Sequence, residues 1–355
     1  MAPQSVSVMT EGSGPDHALR SGIPAVNMDG IASISSVTPL SGKAVSFAVE
    51  PGPIDTPKVK QAYYAVEQST KERFVVGYEA QYNARRGLSQ TYVLRQIPAL
   101  LFDRSMVEKT HGLWAHFIWP TAVAESAAHH LRINSYDRAR FTFGFYQLAA
   151  HTPNDNLILL FRELLQLPNA ALYFPDLVVA NGVVCKRGAG SAPPVSLERE
   201  EDVPVGDRRE TQIPDFMNYL NPTNEVDEQE KQNAAKLMHW LLHDPGAVET
   251  TIRVSFGIMQ RKIARIAQAC GLVGGEPDLA IWASDVRHQG RGSIDDIKEA
   301  LSQDTLEEKR EALYAIDYAD GHNEPRRNTV RDCLERLAKE KRFDGIKFGV
   351  GPLAL

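Results

Sequence analysis

The alternation of hydrophobic and polar residues separates a first section without helical spacing from a long helical remainder. Residues 1–58 are rich in Ser, Pro, Gly and Val and show no helical period. Only residues 44–49 have the pattern of a strand, and the Pro51-Gly52-Pro53 run ends it. We therefore predict an extended N-terminal arm over residues 1–58 and a folded domain over residues 59–355.

Helical spacing is most regular in the second half of the chain. Apolar residues recur there at helical intervals, and Gly, Pro and capping residues divide the segments. Ser293 followed by Asp296 is similar to a capping box, with Asp in place of the usual Glu. The pattern predicts helices over residues 228–243, 246–270, 277–287, 294–302, 305–318 and 326–341.

The first half of the domain is less regular. Residues 60–68 fit a helix, and residues 92–108 fit a helix that is interrupted at Pro98. Residues 74–83 fit either a helix or a strand. A further helix is predicted over residues 120–131, where a proline occupies a suitable first helical position. Together with the later helices, these segments predict a mainly α fold with little strand.

Two segments depart from the helical pattern. Residues 134–147 are short, aromatic and punctuated by Thr and Gly, which predicts a small β-hairpin or a tight loop. Residues 186–232 are rich in Gly and Pro and contain a dense mixed-charge run over residues 198–210. That composition predicts a long surface insertion within the domain.

Composition narrows the classes of function. Lys and Arg total 39, Asp and Glu total 45, and the formal net charge is −6, which argues against a general nucleic-acid binder because such a protein needs a basic surface. Cysteine is scarce, odd in number and matches no metal-binding spacing, so we expect neither a disulfide framework nor a cysteine zinc site. The three are Cys185, Cys270 and Cys333.

The sequence also predicts whether the chain carries a secretory signal peptide or a membrane-spanning segment. The N-terminus has no basic start followed by an apolar core, so we expect no secretory signal peptide. No run of about 18 apolar residues exists, so we expect no membrane span. These observations predict a protein that is cytoplasmic as made, and that reaches the periplasm or a target cell only by a route that needs no such signal.

The candidate chemistry lies between residues 120 and 153. Glu125 is on the predicted helix and faces away from its apolar stripe, and Asp137 follows beside the aromatic turn. Glycoside cleavage needs such a pair of carboxyl groups, one protonated and one ionised, on opposite sides of a sugar-binding groove. A Glu enclosed by aromatic side chains suits the general acid, and an Asp beside Arg138 and Arg140 suits the ionised base.

Three short motifs in this segment occur in a recognisable order. Glu125-Ser126 is followed by Gly144-Phe145-Tyr146-Gln147-Leu148 and then by Thr152-Pro153. This order is similar to the lysozyme-like superfamily, in which soluble lytic transglycosylases have a helical Glu-Ser pair, a Gly-Leu-Met-Gln-type stretch and a Pro/Thr turn. Tyr146 replaces the usual Met or Trp, and the gap from Glu125 to Gly144 is longer than is usual there.

The long segment between Glu125 and Gly144 contains a second motif that resembles known families. The string Asp137-Arg138-Ala139-Arg140-Phe141-Thr142-Phe143-Gly144 resembles the Asp-x-x-x-aromatic-Thr-x-Gly stretch of chitosanases, and is also similar to phage-type lysozymes. In those families the Asp, or a residue beside it, is the second carboxylate, and the Thr helps hold the attacking water.

The resemblance implies a lysozyme-like, two-lobed helical fold with a small β-hairpin at the active-site cleft. It implies that Glu125 is the general acid, that Asp137 is the base or stabilises the transition state, and that Thr142 assists. Four neighbouring side chains are candidates for substrate binding: Ser126, Arg140, Tyr146 and Gln147.

A second segment, residues 280–292, ends in a His-x-Gly sequence. A helix ending in this way is similar to the one that helps close the cleft in phage lysozymes and chitosanases. Its polar side chains are candidates for hydrogen bonds to sugar hydroxyls, acetamido groups or a peptide carboxylate. They are Asp285, His288, Gln289 and Arg291. No metal and no organic cofactor follows from the sequence.

Each candidate also has an ordinary structural interpretation. Glu125 fits a solvated helix residue, Asp137 fits a turn residue paired with a neighbouring arginine, and residues 288–292 fit a helix end with a glycine stop. His129 and His130 are adjacent on the helix and point about 100° apart, so they are poor joint metal ligands. Thr142 and Gln147 fit ordinary strand and turn residues, and the aromatic run over residues 141–146 fits the core.

The leading hypothesis is a glycosidase that cuts β-1,4-linked amino-sugar polymers, with the glycan strand of peptidoglycan as the favoured substrate. One alternative is a lytic transglycosylase, in which Glu125 acts alone as acid and then base. Another is a chitosanase-like or chitinase-like enzyme. An alternative of a different class is a non-catalytic carbohydrate-binding or structural component of a phage or secretion apparatus, with a protein partner bound through residues 1–58 or 186–232.

Overall fold

A seven-stranded antiparallel sheet dominates the first part of the computed structural model, which describes residues 44–205, 208–317 and 323–355. Its strands follow one another in sequence order, and each pairs with its neighbours in the chain. They are β1 (Phe47–Pro53), β2 (Gln61–Glu67), β3 (Arg73–Tyr82), β4 (Arg85–Ser89), β5 (Ile133–Asn134), β6 (Thr142–Phe143) and β7 (Leu148–Ala149).

The predicted mainly α fold is wrong. Helices make up 44% of the structure and strands 19%, and two smaller sheets accompany the large one. One contains β8 (Leu177–Ala180), β9 (Val183–Lys186) and β10 (Val195–Ser196), and the other contains β11 (Glu201–Val205) and β12 (Arg208–Gln212).

The error has a local cause at β2. The helix predicted over residues 60–68 is a strand, in which Ala62, Ala65 and Glu67 are buried between β1 and β3. The segment is rich in aromatic and β-branched residues, which fit a pleated surface, and pairing on both sides overrides its helical spacing. The ambiguous segment 74–83 is β3, whose run from Phe74 to Tyr78 is buried, as expected for a central strand.

The N-terminal arm has a strand at its end. The strand expected over residues 44–49 corresponds to β1, which starts at Phe47 and extends through Pro53 to pair along its whole length with β2. Residues 47–53 therefore belong to the sheet and not to an extended arm. The arm over residues 1–43 lies outside the described residues.

The helices of the second half were predicted closely. Six predicted segments correspond to α6 to α11, and the capping box at Ser293 and Asp296 is confirmed. Within the described residues the α-helices are α1 (Arg104–His111), α2 (Trp114–Ser126), α3 (Leu157–Leu164), α4 (Ala170–Tyr173), α5 (Pro214–Leu220), α6 (Glu228–His243), α7 (Pro245–Cys270), α8 (Pro277–Gln289), α9 (Ile294–Leu301), α10 (Leu306–Ala315) and α11 (Glu324–Lys339).

Two early helices differ from their predicted bounds. The segment 92–108 contains a short 3-10 turn at Leu94–Gln96, and α1 begins only at Arg104, after the side chain of Asp103 caps it. The helix predicted over residues 120–131 begins earlier, at Trp114, and ends at Ser126, so its proline lies inside it. Residues 186–232 contain β10 to β12 and α5, so this segment has regular secondary structure.

The described residues form two compact units. One contains residues 44–102 and 125–258, with all three sheets and an aromatic core in which Tyr173 stacks on Trp240 with ring centroids 5.0 Å apart. The other contains residues 103–124 and the described residues from 259 onwards, and Phe117 stacks there on Phe348. In the described part of the chain, no helix has the length and apolar character that crossing a bilayer requires.

Candidate functional site

Glu125 occupies the last turn of α2, where the helix stops abruptly. Its side chain is half-buried. The next residue, Ser126, donates its hydroxyl to the carbonyl of Phe145 at 2.7 Å and accepts the amide of His129 at 3.1 Å. Ser126 is buried, so its observed role is to fasten the helix end to the hairpin that follows. This differs from the predicted role in direct substrate binding.

The backbone that follows Glu125 is strained. Ala127 and Ala128 have φ values of 55° and 61°, in the left-handed region that alanine rarely adopts. Arg140 and Gln147 are also left-handed. In the described residues, these four are most of the left-handed positions held by neither Gly nor Asn. Each costs about 1–2 kcal/mol, and such strain is concentrated at functional sites.

Of the hairpin and the tight loop predicted as alternatives over residues 134–147, the structure has the hairpin, with slightly wider bounds. β5, β6 and β7 form it as three short antiparallel strands, and Thr142 and Gln147 lie together within it. The Thr142 hydroxyl is 3.1 Å from both Gln147 Oε1 and the carbonyl of Asn134, and Gln147 Nε2 donates to the carbonyl of Gly144 at 2.8 Å. Two of the predicted site residues are thus brought into direct contact.

Asp137 shapes the loop between β5 and β6. Its Oδ1 accepts the backbone amide of Ala139 at 2.8 Å, and its Oδ2 accepts the side-chain amide of Asn134 at 3.0 Å. The neighbouring arginines have other contacts, since Arg138 pairs with Glu210 and Arg140 donates to Asn218. The structure therefore supports the turn role for Asp137.

The aromatic run belongs to the core. Phe141, Phe143 and Phe145 are fully buried, and Tyr146 is 1% exposed. Because its ring has almost no exposed surface, Tyr146 is not placed for stacking on sugar, which corrects its predicted role in substrate binding. The ring of Phe145 stacks on Phe102 with centroids 4.7 Å apart.

The paired histidines are also structural. Burial lowers the pKa of His130 to about 3, and burial followed by the charge of Arg132 lowers the pKa of His129 to about 4. Both rings are therefore neutral at pH 7. His130 packs edge-on against Phe145, with ring centroids 5.0 Å apart.

A buried carboxyl group, that of Glu230, accepts hydrogen bonds from strand β4 and from the start of the loop that contains Asp137. Glu230, in α6, accepts the amide of Leu88 at 2.9 Å and the hydroxyl of Ser135. The close approach requires Gly87, because a Cβ there would lie 2.5 Å from the backbone of Ser135. Burial raises the pKa of Glu230 to about 7. The sequence pattern identified Glu230 only as a position near the start of a helix.

The raised pKa predicts a pH dependence of stability. Between its ordinary value of 4.5 and about 7, the folded state keeps the Glu230 proton that the unfolded chain releases. The free energy of unfolding should therefore fall by about 1.4 kcal/mol per pH unit in this range, about 3 kcal/mol in all. Glu230→Gln keeps the acceptor oxygen and should remove this part of the slope. Urea unfolding of both proteins from pH 4.5 to 8 measures it, and equal slopes would contradict the assignment.

The predicted second segment is largely internal. Asp285, in α8, is fully buried, and its Oδ1 accepts the Thr121 hydroxyl at 3.1 Å and Arg326 Nη2 at 2.7 Å. Its Oδ2 accepts Arg291 Nη2 at 3.3 Å, and Arg291 is 2% exposed. This burial corrects the prediction that Asp285 and Arg291 contact sugar, because their charges are directed at each other and at Arg326.

The end of α8 has the geometry of a glycine stop. Gly290 has a φ of 74°, and its amide donates to the carbonyl of Val286. His288 and Gln289 precede it and are half-buried. The ordinary interpretation of this end is therefore confirmed. That His288 and Gln289 bind substrate, and that this segment lines a groove with residues 120–147, stays a prediction.

A group of potential metal ligands lies elsewhere in the sheet-containing unit. Glu72, which follows the turn after β2, lies beside His239 and His243 of α6. Their ligand atoms all lie within 4.8 Å of one another. This group was not predicted from the sequence, although two histidines four residues apart on a predicted helix are a typical signal of metal binding.

Three comparisons with known proteins leave the family open. No family model, no curated protein and no solved structure matches the chain. The resemblance to the lysozyme-like superfamily accordingly stays a prediction from the motifs.

Proposed function

We propose that this protein cleaves β-1,4-linked amino-sugar polymers, with the glycan strand of peptidoglycan as the substrate and Glu125 as the proton donor. The observation that supports the proposal best is local. A half-buried Glu lies in the last turn of a helix, a strained turn follows, and the hairpin of β5, β6 and β7 contains Asp137, Thr142 and Gln147. Strain of this kind is retained where a side chain must be held in a fixed place.

The chemistry assigns one task to each group. Glu125 protonates the glycosidic oxygen as the bond to the sugar breaks and positive charge develops on the ring. Asp137 activates water or stabilises that charge, and Thr142 holds the water in place. Gln147 fixes the orientation of the Thr142 hydroxyl through the contact at 3.1 Å.

A lytic transglycosylase is the second candidate, and one observation favours it. Both carboxylate oxygens of Asp137 accept hydrogen bonds within its own loop. If those bonds persist when substrate binds, Glu125 acts first as acid and then as base, and a hydroxyl of the sugar attacks in place of water.

Mass spectrometry of peptidoglycan fragments tests the proposal. The full-length protein is incubated with purified peptidoglycan, and the soluble fragments are analysed. Reducing ends indicate hydrolysis, and anhydro ends indicate transglycosylation. If neither is released, the proposed cleavage is wrong and the carbohydrate-binding or structural alternative is favoured.

Replacing Asp137 separates the two mechanisms. Asp137→Asn should lower the rate of hydrolysis by more than about a hundredfold, because it removes the charge that activates water. Asn134→Ala is the matched control, since it removes one of the same loop hydrogen bonds and keeps the charge. Near-normal rates for Asp137→Asn would assign cleavage to Glu125 alone. Equal losses in both variants would show that loop shape, and not charge, is required.

A further inference from the structure

The two histidines of α6 present their rings on one face of the helix. His239 and His243 are four residues apart, which places them one turn from each other, and their ring centroids are 4.1 Å apart. Glu72 lies between β2 and β3, far from α6 in sequence, and its carboxylate lies beside the two histidine rings. Three residues with suitable donor atoms therefore meet where a hairpin packs against a helix.

The distances between these donor atoms suit a small metal ion. Glu72 Oε2 lies 2.7 Å from His243 Nε2 and 3.6 Å from His239 Nε2. Tetrahedral Zn²⁺ with bonds of about 2.0–2.2 Å separates its ligand atoms by about 3.3–3.5 Å. The shorter of these two contacts has to open by less than about 1 Å, and all three ligand atoms lie within 4.8 Å of one another. The side chains of Glu72 and His243 are each 35% exposed, so they have room to adjust.

His239 has the features of a metal-binding histidine. Its side chain is 1% exposed, and its Nδ1 lies 3.0 Å from the hydroxyl of Tyr173. Its Nε2 is buried and has no hydrogen-bond partner. A buried polar atom without a partner is uncommon in native proteins and points to a missing ligand. A metal-bound imidazole normally donates its other N–H to a second group, a role that Tyr173 can fill.

We propose that Glu72, His239 and His243 form a Zn²⁺ site that fastens the β2–β3 turn to α6. Two imidazoles and one carboxylate are ligands that Zn²⁺ prefers, whereas Mg²⁺ and Ca²⁺ prefer oxygen alone. Because two of the three side chains are partly exposed, water completes the tetrahedron. The site is independent of the proposed cleavage, since none of its residues was assigned to that reaction.

Zinc titration of the metal-free, full-length protein tests this proposal. Competition with a chromogenic chelator should show one high-affinity Zn²⁺ per chain, and Zn²⁺ should raise the midpoint of thermal unfolding. His243→Ala should weaken binding by more than about a hundredfold, because it removes a ligand outright. His111→Ala is the matched control, since it removes a histidine from α1 and should leave binding unchanged.

Tyr173→Phe provides a finer test. It removes only the hydroxyl beside His239 Nδ1 and should weaken Zn²⁺ binding by about 10–100-fold, less than the loss of a ligand. Because His243 is partly exposed, its replacement is compatible with folding, which circular dichroism checks. Absence of binding to the unmodified protein, or equal binding by His243→Ala and His111→Ala, would overturn the proposal and leave an ordinary ion pair between Glu72 and His243.

Discussion

Replacing Glu125 with Gln should reduce release of glycan fragments by at least about a hundredfold and leave the fold intact. Gln has nearly the same shape as Glu but no acidic proton that it can transfer to the glycosidic oxygen. Because the two side chains are the same size, the substitution creates no cavity at this half-buried position in the last turn of α2. Initial rates of fragment release measure the effect, and thermal unfolding shows whether the variant is folded.

A second carboxyl group at a helix end supplies the control. Glu163 lies in the last turn of α3, where it pairs with Arg253 on the surface. Glu163→Gln makes the same chemical change and should leave the rate of cleavage unchanged. Unchanged turnover in Glu125→Gln would remove the basis of the glycosidase assignment, and equal losses in both variants would indicate a general effect of charge.

Replacing Asp285 with Ala should destabilise the protein by about 3–5 kcal/mol. The substitution leaves Arg291 and Arg326 buried without the carboxylate that both contact. Desolvated charges that lose their partner cost far more than surface pairs, because water cannot replace the missing interaction. Urea unfolding at constant pH gives the change in free energy.

Asp295, on the surface of α9, is the matched control for this substitution. Its side chain is 92% exposed and pairs with Lys298 one turn away. Asp295→Ala should change the free energy of unfolding by less than about 1 kcal/mol. If Asp285→Ala costs as little as Asp295→Ala, the buried network does not stabilise the fold in the way described.

The sequence was most informative where elements are long and have clear ends. The predicted bounds of the helix over residues 228–243 are those of α6, and its N-terminus is capped by the side chain of Asp227. Strand β2 was predicted as a helix from the spacing of its apolar residues. Its pairing with β1 and β3 makes it a strand, and that pairing is not visible in local spacing.

In the candidate site, too, features set by adjacent residues were predicted and contacts between distant residues were not. The place of Glu125 on a helix and the hairpin after it follow from adjacent residues, and both were predicted. The burial of Asp285 depends on Arg326, which is 41 residues further along the chain. Glu72 and His243 are 171 residues apart. A single sequence without structural context gives no indication of contacts over such separations.

The attachment of the motif-bearing hairpin bears on how the sheet assembles. β4 and β5 share one residue pair, Ser89 with Asn134, whereas β1 and β2 pair along seven residues. Closing the long loop between β4 and β5 costs conformational entropy that so short a ladder barely offsets. The strand ladder alone therefore contributes little to holding the hairpin on β4, and the buried rings of residues 141, 143 and 145 contribute more. Side-chain bonds add to this attachment, because Glu230 accepts the hydroxyl of Ser135 and Asn221 donates to the carbonyls of Ser135 and Arg140.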